Sequence, residues 1–137
     1  MTLPFHLACH VDDLDKARAF YGGVLGCTEG RSTNAWVDFD FFGHQLSLHL
    51  GAPFDTGPSG QVGEHTVPMP HFGPVLEMAH FHALAERLRA AGVAFIIPTT
   101  VRFQGRPGEQ WTMFFRDPAG NPIEVKGFAD RAGLFAH

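Results

Sequence analysis

The chain has 137 residues, which is enough for one domain or two very small modules and too few for a multidomain machine. Its composition of 45% hydrophobic and 18% charged residues is that of an ordinary globular protein, and the formal charge of −4 comes without a cationic stripe, so we expect no nucleic-acid partner. Residues 1–10 lack the pattern of a signal peptide, and no apolar run approaches the roughly 18 residues of a spanning helix, which predicts a cytoplasmic protein without a membrane partner. Two cysteines are too few for a disulfide framework, and we expect both to be reduced.

The first half of the chain predicts a strand, a helix and a hairpin. The apolar stretch over residues 3–11 is typical of a strand, and the two aspartates that follow it can cap a helix. Apolar residues then recur at helical spacing as far as Gly26, which is expected to end the helix in a left-handed conformation. Two strand-like stretches over 36–42 and 45–50, separated by Gly43, predict the hairpin.

The second half begins after a segment without periodicity. Residues 51–70 are rich in proline, glycine and polar residues, which predicts a linker. A strand is expected over 71–76, followed by a helix with an apolar stripe that stops near Gly92. Four further short strands are predicted over 94–97, 101–103, 110–115 and 122–128.

The two halves repeat one order of elements, namely a strand, a helix and about three strands. The expected fold is therefore α+β, with two tandem βαβββ modules whose sheets curve around a common cavity. We place the modules at about 1–52 and 70–128, joined by a linker over 53–69 and followed by a tail over 129–137. In this repeat His6 corresponds to His71. Because Trp36 precedes His49 by the same spacing as Trp111 precedes Glu124, His49 is matched with Glu124.

These four polar residues are the candidates for chemistry. A single histidine on a strand is more often structural than a ligand, but His6, His49, His71 and Glu124 fall at matching places in the repeat and on the strand faces away from the helices. Burying three imidazoles and a carboxylate in one cavity is costly without a cation, which predicts a divalent metal. Two histidines and one carboxylate are typical of Fe(II) oxygenases, although zinc, nickel or manganese use similar ligands.

A second group of residues is a candidate for substrate binding. Arg102 and Arg106 flank a glycine-rich loop before Gln110, and a guanidinium there is suited to gripping a carboxylate or phosphonate over the mouth of the cavity.

Several segments resemble the vicinal oxygen chelate superfamily, which holds glyoxalase I, extradiol dioxygenases and the bleomycin and fosfomycin resistance proteins. The resemblance spans nearly everything from residue 6 to residue 128. The matching segments are Phe5-His6-Leu7-Ala8, Val11-Asp12-Asp13-Leu14, Ala19-Phe20-Tyr21-Gly22-Gly23-Val24-Leu25-Gly26 and Asp117-Pro118-Ala119-Gly120-Asn121-Pro122-Ile123-Glu124. Within the superfamily, Phe41-Phe42-Gly43-His44-Gln45 and His71-Phe72-Gly73 are most similar to small bacterial proteins described as predicted extradiol-type dioxygenases.

This resemblance implies Fe(II) or Mn(II) held by His6, His71 and Glu124. His49 is then either a catalytic acid and base beside the metal or a fourth ligand. The implied activity is oxidative cleavage of a small catechol-like diol. The open alternatives are a glyoxalase-like isomerase or lyase and a non-enzymatic protein that sequesters a drug. Because two such small modules expose strand edges, a homodimer is also expected.

The sequence departs from ring-cleaving enzymes in two respects. Those enzymes are commonly longer, with four modules, and often hold a tyrosine near the substrate, whereas the one tyrosine here, Tyr21, falls on the predicted first helix.

Overall fold

The computed structural model describes residues 3–136 and contains two four-stranded mixed sheets with few helices. Each sheet carries the elements of one βαβββ module, so the predicted α+β fold of two such modules is confirmed. The chain divides into two compact units. One holds the residues up to Asp55 together with Asp117–Asn121, and the other holds Thr56–Arg116 and the chain from Pro122 onward.

The first unit contains a sheet in the order β1-β4-β3-β2, in which β1 and β4 are parallel and the other neighbours are antiparallel. Its elements are β1 (His6–Val11), α1 (Leu14–Ala17), a π-helix (Arg18–Val24), β2 (Thr28–Ser32), β3 (Trp36–Phe41) and β4 (His44–Leu50).

The second unit contains a two-stranded hairpin and a sheet in the order β7-β10-β9-β8, in which β7 and β10 are parallel. Its elements are β5 (Pro58–Val62), β6 (His65–Pro68), β7 (Val75–Glu77), α2 (Met78–Ala90), β8 (Phe95–Arg102), β9 (Gln110–Arg116), β10 (Pro122–Phe128) and a 3-10 helix (Arg131–Phe135).

Apolar residues supply most of the buried surface of both sheets. In β9 and β10, the central strands of the second sheet, consecutive residues are buried, so both faces are covered there. In the first unit the buried residues of β3 and β4 include Val37, Phe39 and Leu48, while Phe20 and Tyr21 of the π-helix are also buried. Leu50, at the end of β4, is 49% exposed. In the second unit α2 buries its apolar stripe, which consists of Phe81, Leu84, Ala85 and Leu88.

Both helices are followed by the glycines that the sequence indicates. Gly26 has a φ of 76° and Gly92 a φ of 74°, which are left-handed conformations that a side chain disfavours. The first helix differs from its prediction, because the described hydrogen bonding makes residues 18–24 a π-helix. The adjacent residues Phe20 and Tyr21 are both buried, which the regular helical spacing did not indicate.

The predicted linker is wrong over part of its length, because β5 and β6 form a hairpin there. Two valines, Val62 and Val67, pack in one buried cluster with Ile97 and Phe114. Because each of these short strands contributes one valine to the cluster, the sequence shows no alternation of apolar residues that would predict a strand.

The remaining differences concern strand limits. The strand expected over 71–76 is regular only from Val75, although Phe72 makes an isolated parallel bridge to Ile123. The two strands expected over 94–97 and 101–103 are one irregular strand, β8. Strand β2 was not predicted, because all five of its residues are exposed and show no apolar alternation. None of the helices within residues 3–136 is long and apolar enough to cross a membrane.

Candidate metal centre

Glu124 lies in the middle of β10 and is buried, with 8% of its surface exposed. A buried carboxylate needs hydrogen-bond donors or a cation. Thr112 on the neighbouring strand β9 supplies one donor, because its hydroxyl donates to Glu124 Oε2 over 2.6 Å. This bond fixes one carboxylate oxygen and turns the other, Oε1, toward His71.

His71 lies just before the strand that pairs with β10, and its Nε2 is 3.3 Å from Glu124 Oε1. Its other ring nitrogen, Nδ1, is 2.9 Å from the carbonyl oxygen of Pro68. Since a carbonyl only accepts, Nδ1 carries the proton, and in the neutral ring the lone pair is on Nε2. The ring also contacts Phe114 edge-on, with centroids 4.7 Å apart. His71 is thus oriented as metal-ligating histidines usually are.

These two side chains fit a metal ion. In the neutral histidine, the Nε2 lone pair and a carboxylate oxygen face each other, and such a pair repels unless a proton or a cation lies between them. A separation of 3.3 Å is also near that of two donor atoms each about 2.1 Å from one metal. Thr112 and the Pro68 carbonyl supply the outer hydrogen bonds that such ligands need.

Gly73 allows the backbone before β7 to approach Glu124 closely. A Cβ at this position would lie 1.6 Å from the Glu124 carbonyl oxygen, which no side chain tolerates. The Glu124 amide donates to the Phe72 carbonyl over 2.9 Å, so residues 72 and 124 are joined directly. The glycine therefore permits the backbone pairing that sets His71 beside Glu124.

The other two candidates, His6 and His49, belong to the first unit, and both are exposed. In the parallel pair β1–β4, His6 lies opposite Gln45, and His10 lies opposite His49. His6 and His49 are thus four residues apart along the strands, or about 13 Å. Within residues 3–136, no group of three or more histidine, cysteine or acidic side chains is placed to hold a metal.

The strand register also corrects the matching of the two halves. Since Phe72 bridges to Ile123, His71 lies level with Pro122, and Glu124 is two residues further along β10. In the first unit Gln45 lies level with His6, and the residue two positions further along β4 is Ser47. Ser47 is buried like Glu124, so Ser47, and not His49, is the counterpart of Glu124. The equal spacing from Trp36 and Trp111 therefore gave a match that is wrong by two residues.

Arg102, Arg106 and Gln110 lie in the second unit around the loop between β8 and β9. Arg102 is opposite Gln110 in the strand pair, and its guanidinium carbon is 4.8 Å from the centre of the Phe103 ring. Arg106 and Gln110 line a cavity of about 320 Å³, whose lining does not include Arg102.

The turn before β10 is held by a buried polar network in the first unit. The Tyr21 hydroxyl donates to Asp117 Oδ2 over 2.7 Å, and the amide of Asn121 donates to the same oxygen and to the His10 carbonyl. Burial raises the pKa of the Tyr21 hydroxyl well above 10.0, with the negative charge of Asp117 adding to the effect. The sequence indicated a turn here, but not that Tyr21 binds it.

Sequence reasoning missed Thr112 and Gly73, which support the candidate ligands. No local signal identifies Thr112, because a threonine in a strand is ordinary. One sequence feature could have identified Gly73. It lies between the candidate ligand His71 and Pro74, and a glycine within a strand-like stretch often marks a close approach of another backbone.

The chain belongs to the Glyoxalase/Bleomycin resistance protein/Dioxygenase superfamily, whose family model matches residues 4–125. This is the vicinal oxygen chelate superfamily that the sequence motifs resemble, so that assignment is confirmed. Its members include metal-dependent enzymes and resistance proteins that act on small molecules, often as dimers.

Several solved structures are similar over nearly the whole chain. A glyoxalase/bleomycin resistance protein/dioxygenase from Alicyclobacillus acidocaldarius is 31% identical, with a TM-score of 0.78 over 98% of this chain and 97% of that one. A lactoylglutathione lyase from Agrobacterium tumefaciens is 20% identical, with a TM-score of 0.66 over 100% and 98%. A fosfomycin resistance protein from Listeria monocytogenes is also 20% identical, with a TM-score of 0.66 over 97% and 98%. The last two show the fold alone.

Proposed function

We propose that this protein is a metal-dependent enzyme in which Glu124 and His71 are two ligands of a divalent metal. The observation that carries the proposal is the contact of 3.3 Å between His71 Nε2 and Glu124 Oε1. The opposite atoms of both side chains are already engaged, by Pro68 and Thr112, so the two remaining atoms are oriented toward one point. Glu124 is buried and His71 is half-buried, and each has the outer hydrogen bond that metal-ligating carboxylates and histidines usually make.

The third ligand in this proposal is His6. Since no three donors come together within residues 3–136 of one chain, we assign His6 to a second copy of the chain in a homodimer. His6 is exposed on β1 and is therefore accessible to a partner. The exposed strand β2 at the edge of the first sheet is compatible with pairing between copies.

The leading reaction is oxidative cleavage of a small catechol-like diol, with Fe(II) or Mn(II) as the metal. When bound, such a metal would supply Lewis-acid and redox chemistry for the reaction of a diol with dioxygen. His49 acts as the acid and base, and a ring nitrogen of its imidazole accepts the proton of a diol hydroxyl. Its ring lies near Trp36, with centroids 6.3 Å apart, and Trp36 gives it an aromatic neighbour on β3. The register that makes Ser47 the counterpart of Glu124 favours this role over that of a fourth ligand.

Two alternatives remain. An isomerase or lyase using zinc or nickel is consistent with the fold shared with the lactoylglutathione lyase. A protein that sequesters a drug without chemistry is the second alternative, since one fold hosts many functions. The paired His71 and Glu124 favour the enzymes, because a drug-binding protein does not need a metal ligand set.

The test is elemental analysis of protein purified anaerobically without chelator, with His6→Ala, His71→Ala and Glu124→Ala as variants. His80→Ala, an exposed position on α2, is the control. We expect about one iron or manganese per chain, lost in the three ligand variants and kept in the control, followed by oxygen-dependent turnover of catechols. Zinc or nickel would favour the isomerase, and the absence of metal after reconstitution would overturn the proposal.

A further inference from the structure

The second unit contains a cavity that is separate from the candidate ligands. It has a volume of about 320 Å³ and lies between the loop after β8 and the 3-10 helix. Its lining includes the apolar side chains of Phe103, Pro107 and Leu134, and two polar side chains, Arg106 and Gln110. This volume is at the lower end of the range for small-molecule pockets.

The loop that forms one wall of the cavity is internally braced. Glu109 Oε1 accepts a hydrogen bond from the Gly105 amide over 2.8 Å, and the Arg106 amide donates to the Phe103 carbonyl over 3.0 Å. Gly108 and Gly133 meet closely, since a Cβ on Gly133 would lie 3.3 Å from the Gly108 backbone. A defined contact between the loop and the 3-10 helix therefore forms one side of this partly open cavity.

Two polar groups at this cavity have no partner in the described part of the chain. Gln110 Oε1 is buried and accepts no hydrogen bond, which is a costly state for an amide oxygen. The exposed guanidinium of Arg106 makes no hydrogen bond or ion pair with residues 3–136. Glu109 and Asp130 do not line this cavity but an adjacent hollow that Arg106 also lines. Both carboxylates accept backbone hydrogen bonds there, from the amides of Gly105 and Ala132. One acceptor and one cation thus remain beside an apolar wall.

We propose that this cavity binds the anionic end of the substrate, a small organic acid whose carboxylate contacts Arg106 and whose hydroxyl or N–H donates to Gln110 Oε1. Arg102, which is predicted to share this role, does not itself line the cavity, but its guanidinium lies over the ring of Phe103, which does. Gln110 and Thr112 lie on one face of β9, about 7 Å apart. Since Thr112 contacts Glu124, a molecule of the size of a hydroxybenzoate extends from the cavity toward the proposed metal. Only the identification of this acid as the substrate rests on the proposed function.

The test measures ligand binding by metal-free protein, using calorimetry or NMR titration with benzoate, 3-hydroxybenzoate and phenol. We expect both acids to bind more tightly than phenol, and 3-hydroxybenzoate more tightly than benzoate. Arg106→Gln is expected to weaken both acids about tenfold or more. Arg87→Gln, an exposed arginine on α2, is the matched control and is expected to change nothing. Gln110→Met is expected to abolish the difference between the two acids.

The result that overturns the proposal is equal binding of the acids by wild type and by Arg106→Gln, or no saturable binding by wild type. A preference for 3-hydroxybenzoate that survives Gln110→Met would remove the role of Gln110. Because Gln110→Met removes a buried unpaired oxygen, its melting temperature should match or exceed that of wild type, which separates loss of binding from loss of folding. A failure to bind metal leaves these titrations unaffected, so the two proposals fail independently.

Discussion

Thr112 holds Glu124 through a single short hydrogen bond to Oε2. Without it, the carboxylate is free to rotate, and its other oxygen is no longer fixed beside His71. We expect Thr112→Val to weaken divalent metal binding by about 10- to 100-fold, as outer hydrogen bonds to metal ligands usually do. Competition with a chromogenic chelator measures this affinity. Thr112→Ser keeps the hydroxyl and should bind as wild type, and equal affinity in the valine and serine variants would contradict the role of this bond.

Cys9 predicts a pH dependence of stability. Burial, followed by the negative charge of Asp117, raises the pKa of its thiol from 9.0 to about 12. Above pH 9 the unfolded chain loses this proton and the folded chain keeps it, so the free energy of unfolding falls as the pH rises from about 9 toward 12. The contribution is fully present below pH 9, and its slope is at most about 1.4 kcal/mol per pH unit.

Urea unfolding at pH 8, 9 and 10 in a reducing buffer tests this expectation. Burial also raises the pKa of Tyr21 well above 10.0, so measurements up to pH 10 report mainly on Cys9. Cys9→Ala should show a shallower decrease in stability than wild type over this range. Identical slopes for the two proteins would show that Cys9 is not the titrating group.

At the scale of elements, Gly73 controls how closely the segment before β7 approaches β10. Gly73→Ala would place a Cβ within 1.6 Å of the Glu124 carbonyl oxygen, so the two segments must separate. We expect a loss of about 1–3 kcal/mol or more in the free energy of unfolding, together with weaker metal binding. Gly57→Ala is the control, because a Cβ at Gly57 meets nothing within 4 Å. Wild-type stability of Gly73→Ala in chemical denaturation would be incompatible with the described backbone contact.

Tyr21 joins the π-helix to the turn over Asp117–Asn121. Removing its hydroxyl leaves a buried carboxylate with one donor fewer, which is expected to cost about 1–3 kcal/mol. Thermal or urea unfolding of Tyr21→Phe, Asp117→Asn and the double variant measures the coupling between the two side chains. Additive effects of the two substitutions would mean that the bond contributes nothing to stability.

At the scale of the whole molecule, the proposed sharing of a metal site between two chains predicts complementation. His6→Ala and His71→Ala chains each lack one ligand and should bind no metal alone. When they are mixed after partial unfolding and refolding, each heterodimer contains one intact site, formed by His6 of one chain with His71 and Glu124 of the other. We therefore expect metal content to return, measured by elemental analysis of heterodimers isolated with two affinity tags. No recovery in a verified heterodimer would place all three ligands within one chain.

Most of the order of elements could be predicted from the sequence, since the main strands, the helices and their terminal glycines follow from local patterns of apolar residues. The sequence also determined the family, because the segment around Asp117-Pro118-Ala119-Gly120-Asn121 is specific in its residues. The hairpin that contains Val62 and Val67 was not predicted, because only a few buried residues anchor it. Strand β2 was not predicted either, because all of its residues are exposed.

Which residues are neighbours became clear from the tertiary structure. Strand register made Ser47 the counterpart of Glu124, whereas counting along the chain had chosen His49. Thr112, Gly73 and the Pro68 carbonyl reach the candidate metal centre through strand pairing and a turn, which no local spacing encodes. The physical reason is that local patterns report the burial of each residue, whereas a site depends on distances between residues far apart in the chain.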